Sequence, residues 1–188
     1  MSMGTVLLVI IVAIVLYLIA IYNQFVSLQA GIDAAWSDID VQLKRRYNLI
    51  PALVDVVKGY KNYEAGTLEK LIEARRQSME ANTPAGKSAA ESLLGASLGK
   101  LFALAEAYPE LKADTQFLNL QTELSRIEDA IQNARRYYNA IVRDYNAKLR
   151  SFPDVLVAQK YHFTPRDYFE LDASEADAVK QMPSIDLE

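Results

Sequence analysis

His162 is the only histidine in the chain, and its 188 residues include no cysteine. Those two counts bound the available chemistry. A thiolate nucleophile, an iron–sulfur cluster, a disulfide and Cys-ligated zinc are all excluded. A lone imidazole has no second ring to complete a metal site, so His162 reads as a packing or surface residue. Helical proteins that hold two metals use Glu-x-x-His pairs on facing helices, and this sequence cannot supply them. Asp38 with Asp40, and Glu128 with Asp129, are close enough in sequence to be weighed as acid–base pairs. On a helix neither pair shares a face, and exposed acids there are expected to be solvated. The chain has no glycine-rich phosphate loop, nucleophile elbow or metalloprotease motif. The expectation is a protein that is not an enzyme and takes no cofactor or metal.

Clustered cations are the most suggestive polar feature. Lys44, Arg45 and Arg46 form one group, and Arg75-Arg76 and Arg135-Arg136 form two more. Read blandly, they are solvated helix faces paired with acids such as Glu69, Glu73 and Asp129. Read functionally, they are a basic band for anionic lipid headgroups or an acidic partner. They do not point to nucleic acid, because bases and acids are interspersed along the helices. The net charge of −4 comes from the end of the chain: Asp167–Glu188 holds seven acids and one base, leaving residues 1–166 at +2.

What must position these groups is helical. Glycine and proline together number 13 of 188 residues, little more than half the usual share of about 12%. From Met1 to Ile32 there is no Asp, Glu, Lys, Arg or His, and Thr5–Tyr22 is an almost unbroken apolar run of 18 residues. As helix it spans about 27 Å, close to a hydrocarbon core of ~30 Å. The start lacks the cations of a signal peptide and no small-residue cleavage site follows, so a retained transmembrane anchor is expected. Cations after the span and none before it predict an outside N-terminus and a cytoplasmic main domain.

Beyond the span, Ile32, Trp36, Ile39, Leu43, Ile50, Leu53, Val57 and Tyr60 keep a helical stripe in which Arg46 is the odd member. Pro51 interrupts it. Inside a helix the proline would cost about 3 kcal/mol, whereas in the first turn of a new helix, with Asn48 as cap, that cost largely disappears. The expected boundaries are therefore a first helix ending near Tyr47 and a second from Leu49 to Ala81, the alternative being a single helix kinked at Pro51, which the unbroken phase of the stripe would explain directly. The loop "ANTPAGK" follows, and a third helix runs from Ala89 to Glu106, opened by a Ser88…Glu91 capping box. A fourth, capped by Asp114, runs from Thr115 to Leu149. "GASLG", Gly95 to Gly99, has the spacing of close helix contact and is expected to mark tight packing. Ser151…Asp154 and Thr164-Pro165…Asp167 predict short helical turns beside an aromatic segment, Tyr161, Phe163, Tyr168 and Phe169, expected to lie as a lid on the bundle.

The fold class expected is all-α: a single N-terminal transmembrane helix, then an antiparallel four-helix bundle of long, coiled-coil-like helices. Residues 1–25 would be the anchor, 26–152 the bundle, and 153–188 short turns, the aromatic segment and an acidic tail.

The blocks "DVQLKRRYNLIPALVDVVKGY", "ELSRIEDAIQNARRYYNAIVRDYN", "SFPDVLVA" and "YFE" behind an anchor resemble the LemA family of bacterial membrane proteins. The resemblance spans nearly the whole chain. It implies a bundle-like cytoplasmic domain behind one span in the bacterial inner membrane, with no assigned catalytic residue or cofactor. A branch of the family is connected with organising specialised bacterial membranes. Two functions are set against each other. The first is an anchored scaffold that self-associates as a homo-oligomer or recruits membrane protein partners. The other is a sensor or adaptor binding a small molecule between its helices, with Tyr47, Tyr60, Tyr63, Tyr138 and Tyr145 as polar handles.

Overall fold

The computed structural model describes residues 2–60 and 65–169. Among them the chain is all helix: α1 Met3–Lys58, α2 Ala65–Glu80, α3 Pro84–Glu106, α4 Pro109–Lys112, α5 Thr115–Lys148 and α6 Asp154–Lys160. The acidic stretch after Phe169, and Tyr63, lie outside the described residues. The contacts divide the chain into two units, one of Met1–Ile39 with Ala134–Tyr168, the other of Asp40–Asn133 with Phe169–Glu188.

α1 corrects the expected break at Pro51. The proline lies inside a helix that continues to Lys58. The stripe explains why, since Ile50 just before the proline and Leu53, Val54 and Val57 on its far side are all buried. Burying the three beyond the proline is worth roughly 1.5–3 kcal/mol each, more than the proline costs. The carbonyl of Tyr47, which lacks its usual donor because Pro51 has no N–H, is satisfied from another helix: Arg75 Nε donates to it at 2.8 Å. The helix ends instead at Gly59 and Tyr60, whose N–H groups bond back three residues to Val56 and Val57.

That account gives a double-mutant test. Arg75→Ala is expected to cost about 1–3 kcal/mol by leaving a buried carbonyl unpaired. In a Pro51→Ala background the residue-51 N–H returns to the Tyr47 carbonyl, and the cost should shrink by at least half. Thermal unfolding of the four proteins measures the coupling, and additive losses would rule the compensation out.

In the first unit, the early part of α1 exposes its side chains from Val6 to Ile19, and it is the one segment among the described residues long and apolar enough to cross a membrane. Further along, Phe25 is fully buried, edge-on to Tyr145 of α5 at 6.0 Å and stacked on Phe163 at 4.8 Å. Lys148 sits over the same ring and pairs with Asp154. Trp36 meets Tyr138 at 5.5 Å.

α6 ends in a backbone reversal centred on His162. Its φ of 59° is left-handed, a region that histidine enters more readily than most non-glycine residues. The N–H of Phe163 bonds to the Ala158 carbonyl at 3.0 Å and that of His162 to Gln159 at 3.4 Å, the paired bonds of a Schellman ending. The reversal brings Tyr161 and Phe163 against Tyr22, with ring centres 4.8 and 5.7 Å away. The helical turn expected at Thr164–Asp167 does not form. Asn146 holds Arg166 by both backbone groups instead, donating to its carbonyl at 2.8 Å and accepting from its N–H at 3.0 Å. Ser151 does not cap α6 either; its hydroxyl turns back to the Ala147 carbonyl.

In the second unit, α2 packs on α3 and α3 on α4. Leu68, Leu71 and Ala74 of α2 and Leu94, Leu98, Leu101 and Ala105 of α3 are buried, whereas Ile72 and Met79 of α2 face outward. α3 opens five residues earlier than expected. Thr83 is its cap, accepting from Gly86 N–H at 3.1 Å, with Pro84 in the first turn. A proline needs no donor there, which is why part of the expected loop is helix. Asp114 caps α5 as expected, its Oδ1 accepting from Phe117 N–H at 2.8 Å.

Candidate functional site

The polar centre of the second unit is built on two turns of α1. Leu43, Tyr47 and Ile50 share its buried face, and so does Arg46, whose side chain is only 8% exposed. An arginine there cannot shed its charge, so the helices around it must supply acids. α3 supplies Glu91, 6% exposed, with Oε2 at 3.1 Å from Arg46 Nη1. α5 supplies Glu128 at 3.3 Å from the same nitrogen. The second oxygen of Glu91 accepts a short hydrogen bond from the Tyr47 hydroxyl, which lies 3.2 Å from the Ser78 carbonyl of α2. Arg75 reaches the Tyr47 backbone as described. At the edge Asp40 pairs with Lys44 at 2.7 Å and Lys87 at 3.3 Å.

Electrostatics follow from depth. Burial is the largest influence on Tyr47, and the neighbouring Glu91 charge adds to it, so the phenol is pushed far above its ordinary value. Burial also raises Glu91, opposed by the Tyr47 hydrogen bond and the Arg46 charge. Asp40 is lowered, first by its hydrogen bond to Lys44, then by Lys87. A phenol held protonated and a carboxylate engaged at both oxygens do not form an acid–base couple for an outside substrate. The arrangement instead joins α1, α2, α3 and α5 through directional bonds.

Glu91 is the important residue that sequence reading misassigned. Taken as the second half of a capping box, it is an interior residue of α3 bonded to Arg46. Its spacing held the signal: Glu91 falls three residues before Leu94, on the buried stripe. Asp40 and Glu128, expected to be solvated, are both paired, while Asp38 and Asp129 are exposed. Gly95 lies beside Arg46, where an added Cβ would make ordinary contact at 3.5 Å with the guanidinium, and a Cβ at Gly99 meets nothing within 4 Å. Close packing at both ends of "GASLG" is therefore not what the motif provides.

The cations expected as a contact band sit in different settings. Arg46 is withdrawn into the core and is unavailable to a headgroup, and Arg75 is half-buried. Lys44, Arg45, Arg76 and Arg136 are exposed, Arg76 held between Glu73 and Glu80 of its own helix, and Arg135 is half-buried. The tyrosine handles are also engaged: Tyr60 donates to Asp114 at 2.9 Å and Tyr138 to the Asp167 carbonyl at 2.9 Å, while Tyr145 accepts from Gln29 at 3.2 Å. Among the described residues no group of three or more His, Cys, Asp or Glu side chains is placed to hold a metal ion.

Among the described residues, then, the chain is helical, with one apolar N-terminal segment and a buried cluster in which Arg46 and Tyr47 of "RRYNLIP" meet Glu91. The LemA family model matches residues 35–186, and the chain belongs to that family. It is 36% identical over 143 residues to Protein LemA of Metamycoplasma hominis, covering 73% of this chain and 64% of that protein. It is 27% identical over 184 residues to Magnetosome protein MamQ of Magnetospirillum gryphiswaldense, covering 84% and 68% respectively. Magnetosome protein MamQ 2 of Paramagnetospirillum magneticum is 26% identical over 186 residues, covering 85% and 68%. The chain thus spans about two thirds of the length of the relatives it matches.

Proposed function

We propose that this LemA-family chain is a single-pass, membrane-anchored helical scaffold that self-associates and recruits partners at the cytoplasmic face of the bacterial inner membrane. The observation that carries the reading is α1, one uninterrupted helix whose early side chains are exposed and apolar while its later ones are buried among α2, α3 and α5. Exposed Val, Ile and Leu along several turns are unfavourable in water and favourable in lipid. The excess of cations after the segment supports an outside N-terminus. In the second unit the proposed arrangement is an antiparallel four-helix bundle of α1, α2, α3 and α5, supported by the three-residue link between α2 and α3 and by Arg46 reaching both α3 and α5.

A scaffold needs surfaces rather than reactive groups. The polar groups of the cluster are buried and turned on one another, whereas Lys44, Arg45, Arg76 and Arg136 lie at the surface, Lys44 and Arg76 beside acids of their own helices, where headgroups or an acidic partner can reach them. Confinement to a membrane raises the effective concentration of copies, so modest lateral contacts suffice for assembly. Two relatives are named magnetosome proteins, which supports a membrane-organising role.

The chain has no cysteine of its own, so a single Tyr137→Cys on the exposed face of α5 reports contact between copies. Oxidative cross-linking in native membranes is expected to give a dimer band, and mass measurement after extraction in native lipid discs more than one copy. A single copy in every disc, with no co-purifying protein and no cross-link, would overturn the proposal.

A further inference from the structure

Within the first unit an open groove of about 510 Å³ lies between α6 and the end of the apolar segment of α1, a size within the range of ligand sites. Val15, Leu18 and Ile19 line one side, and Leu156, Val157 and Tyr161 the other. Tyr22 also lines it, edge-on to Tyr161 at 4.8 Å. Lys160 is the charged residue among the lining, and its side chain is exposed.

We propose that this groove seats an acyl chain of an anionic phospholipid whose headgroup phosphate meets Lys160. The inference rests on reading the apolar segment of α1 as a membrane span. One wall then belongs to the span itself, so the groove is continuous with the bilayer and opens where lipid chains already run. The other wall belongs to a short helix poorly suited to water: Leu156 is 54% exposed, and Phe152 just before it 81%. Short apolar elements of this kind bury themselves at the headgroup–acyl boundary. Tyr22 and Tyr161 form an aromatic pair at the end of the span, where such rings settle at the membrane–water interface. A lysine at that level lays its methylene stem along apolar surface and presents its ammonium to a phosphate.

The test uses the full chain in phosphatidylcholine vesicles doped with phosphatidylglycerol that carries a photoactivatable diazirine on its acyl chain. Adducts mapped by peptide mass are expected on residues 154–161 as well as on residues 5–22. Lys160→Gln should lower the α6 adducts about fivefold, the worth of one basic residue near an anionic surface, and leave the span adducts unchanged. Leu156→Asp, at an exposed position where folding is not at risk, should lower them too. Diazirine phosphatidylcholine should label α6 more weakly. Adducts on the span with none on α6 would overturn the groove, and α6 labelling indifferent to both headgroup and Lys160 would overturn the phosphate contact. Labelling of neither segment would show that the span reading itself fails.

Discussion

Glu91→Leu is expected to lower the stability of the folded chain by about 3–5 kcal/mol, because it leaves the Arg46 charge buried with only the half-exposed Glu128 beside it. The Tyr47 hydroxyl loses one of its two acceptors at the same time, keeping the Ser78 carbonyl. The double variant Arg46→Met with Glu91→Leu should regain most of the loss, since apolar side chains of similar volume often replace a buried ion pair at little cost. Unfolding of the parent and the two variants in the same detergent separates the outcomes; a double variant as unstable as the single one would mean that shape, not charge, governs the site.

The pH response of Glu91 has its own sign. Its carboxyl is raised from the usual 4.5, chiefly by burial, so the folded state binds more proton than the unfolded one. Its contribution therefore declines as pH rises from 4.5 through the folded value. Asp40 acts in reverse: its lowered carboxyl gives stability present above 3.8 and lost as pH falls through the folded value. Glu91→Gln removes the declining component, so its melting temperature should change more positively with pH than that of the parent as pH rises from 4.5 through the folded value. Parallel melting curves would show that Glu91 titrates at its ordinary value.

The second large effect lies in the apolar segment. Val12→Asp together with Ile14→Asp should move the chain out of the membrane fraction, because an aspartate at the centre of a span costs about 2.5–3.5 kcal/mol each on the insertion scale. Against that, each Leu, Ile, Phe or Val contributes only roughly 0.3–0.6 kcal/mol, so two acids cancel most of the driving force. Carbonate washing followed by blotting of pellet and supernatant reads the result. The paired variant remaining in the pellet would show that something other than this segment holds the chain there.

Much of the helical content was legible locally. Asp114 and the stripe from Phe117 to Leu149 located α5 because cap and periodicity belong to the same stretch of chain. The end of α3 at Glu106 was legible for the same reason. Pro51 was not, since its compensating donor, Arg75, lies 24 residues further on and no local rule connects them. The buried cluster was half visible. Arg46 stood out as a charge on an apolar stripe, which by itself demands a buried acid, but Glu91 was absorbed into a capping pattern because Ser88 stood three residues before it. Thr83-Pro84 carried the true start of α3, obscured by a loop-like composition. His162 carried no readable signal of a left-handed turn, because that role depends on where α6 stops.

The Arg75 bond to the Tyr47 carbonyl also bears on how the molecule assembles. During synthesis the segment around Tyr47 emerges from the ribosome before residue 75 does, with one carbonyl that its own helix cannot answer. An isolated peptide covering those turns should fray at Tyr47 and become fully wound only when α2 arrives. The proline thereby makes one helix conditional on another, and the order of emergence becomes part of how the fold is specified.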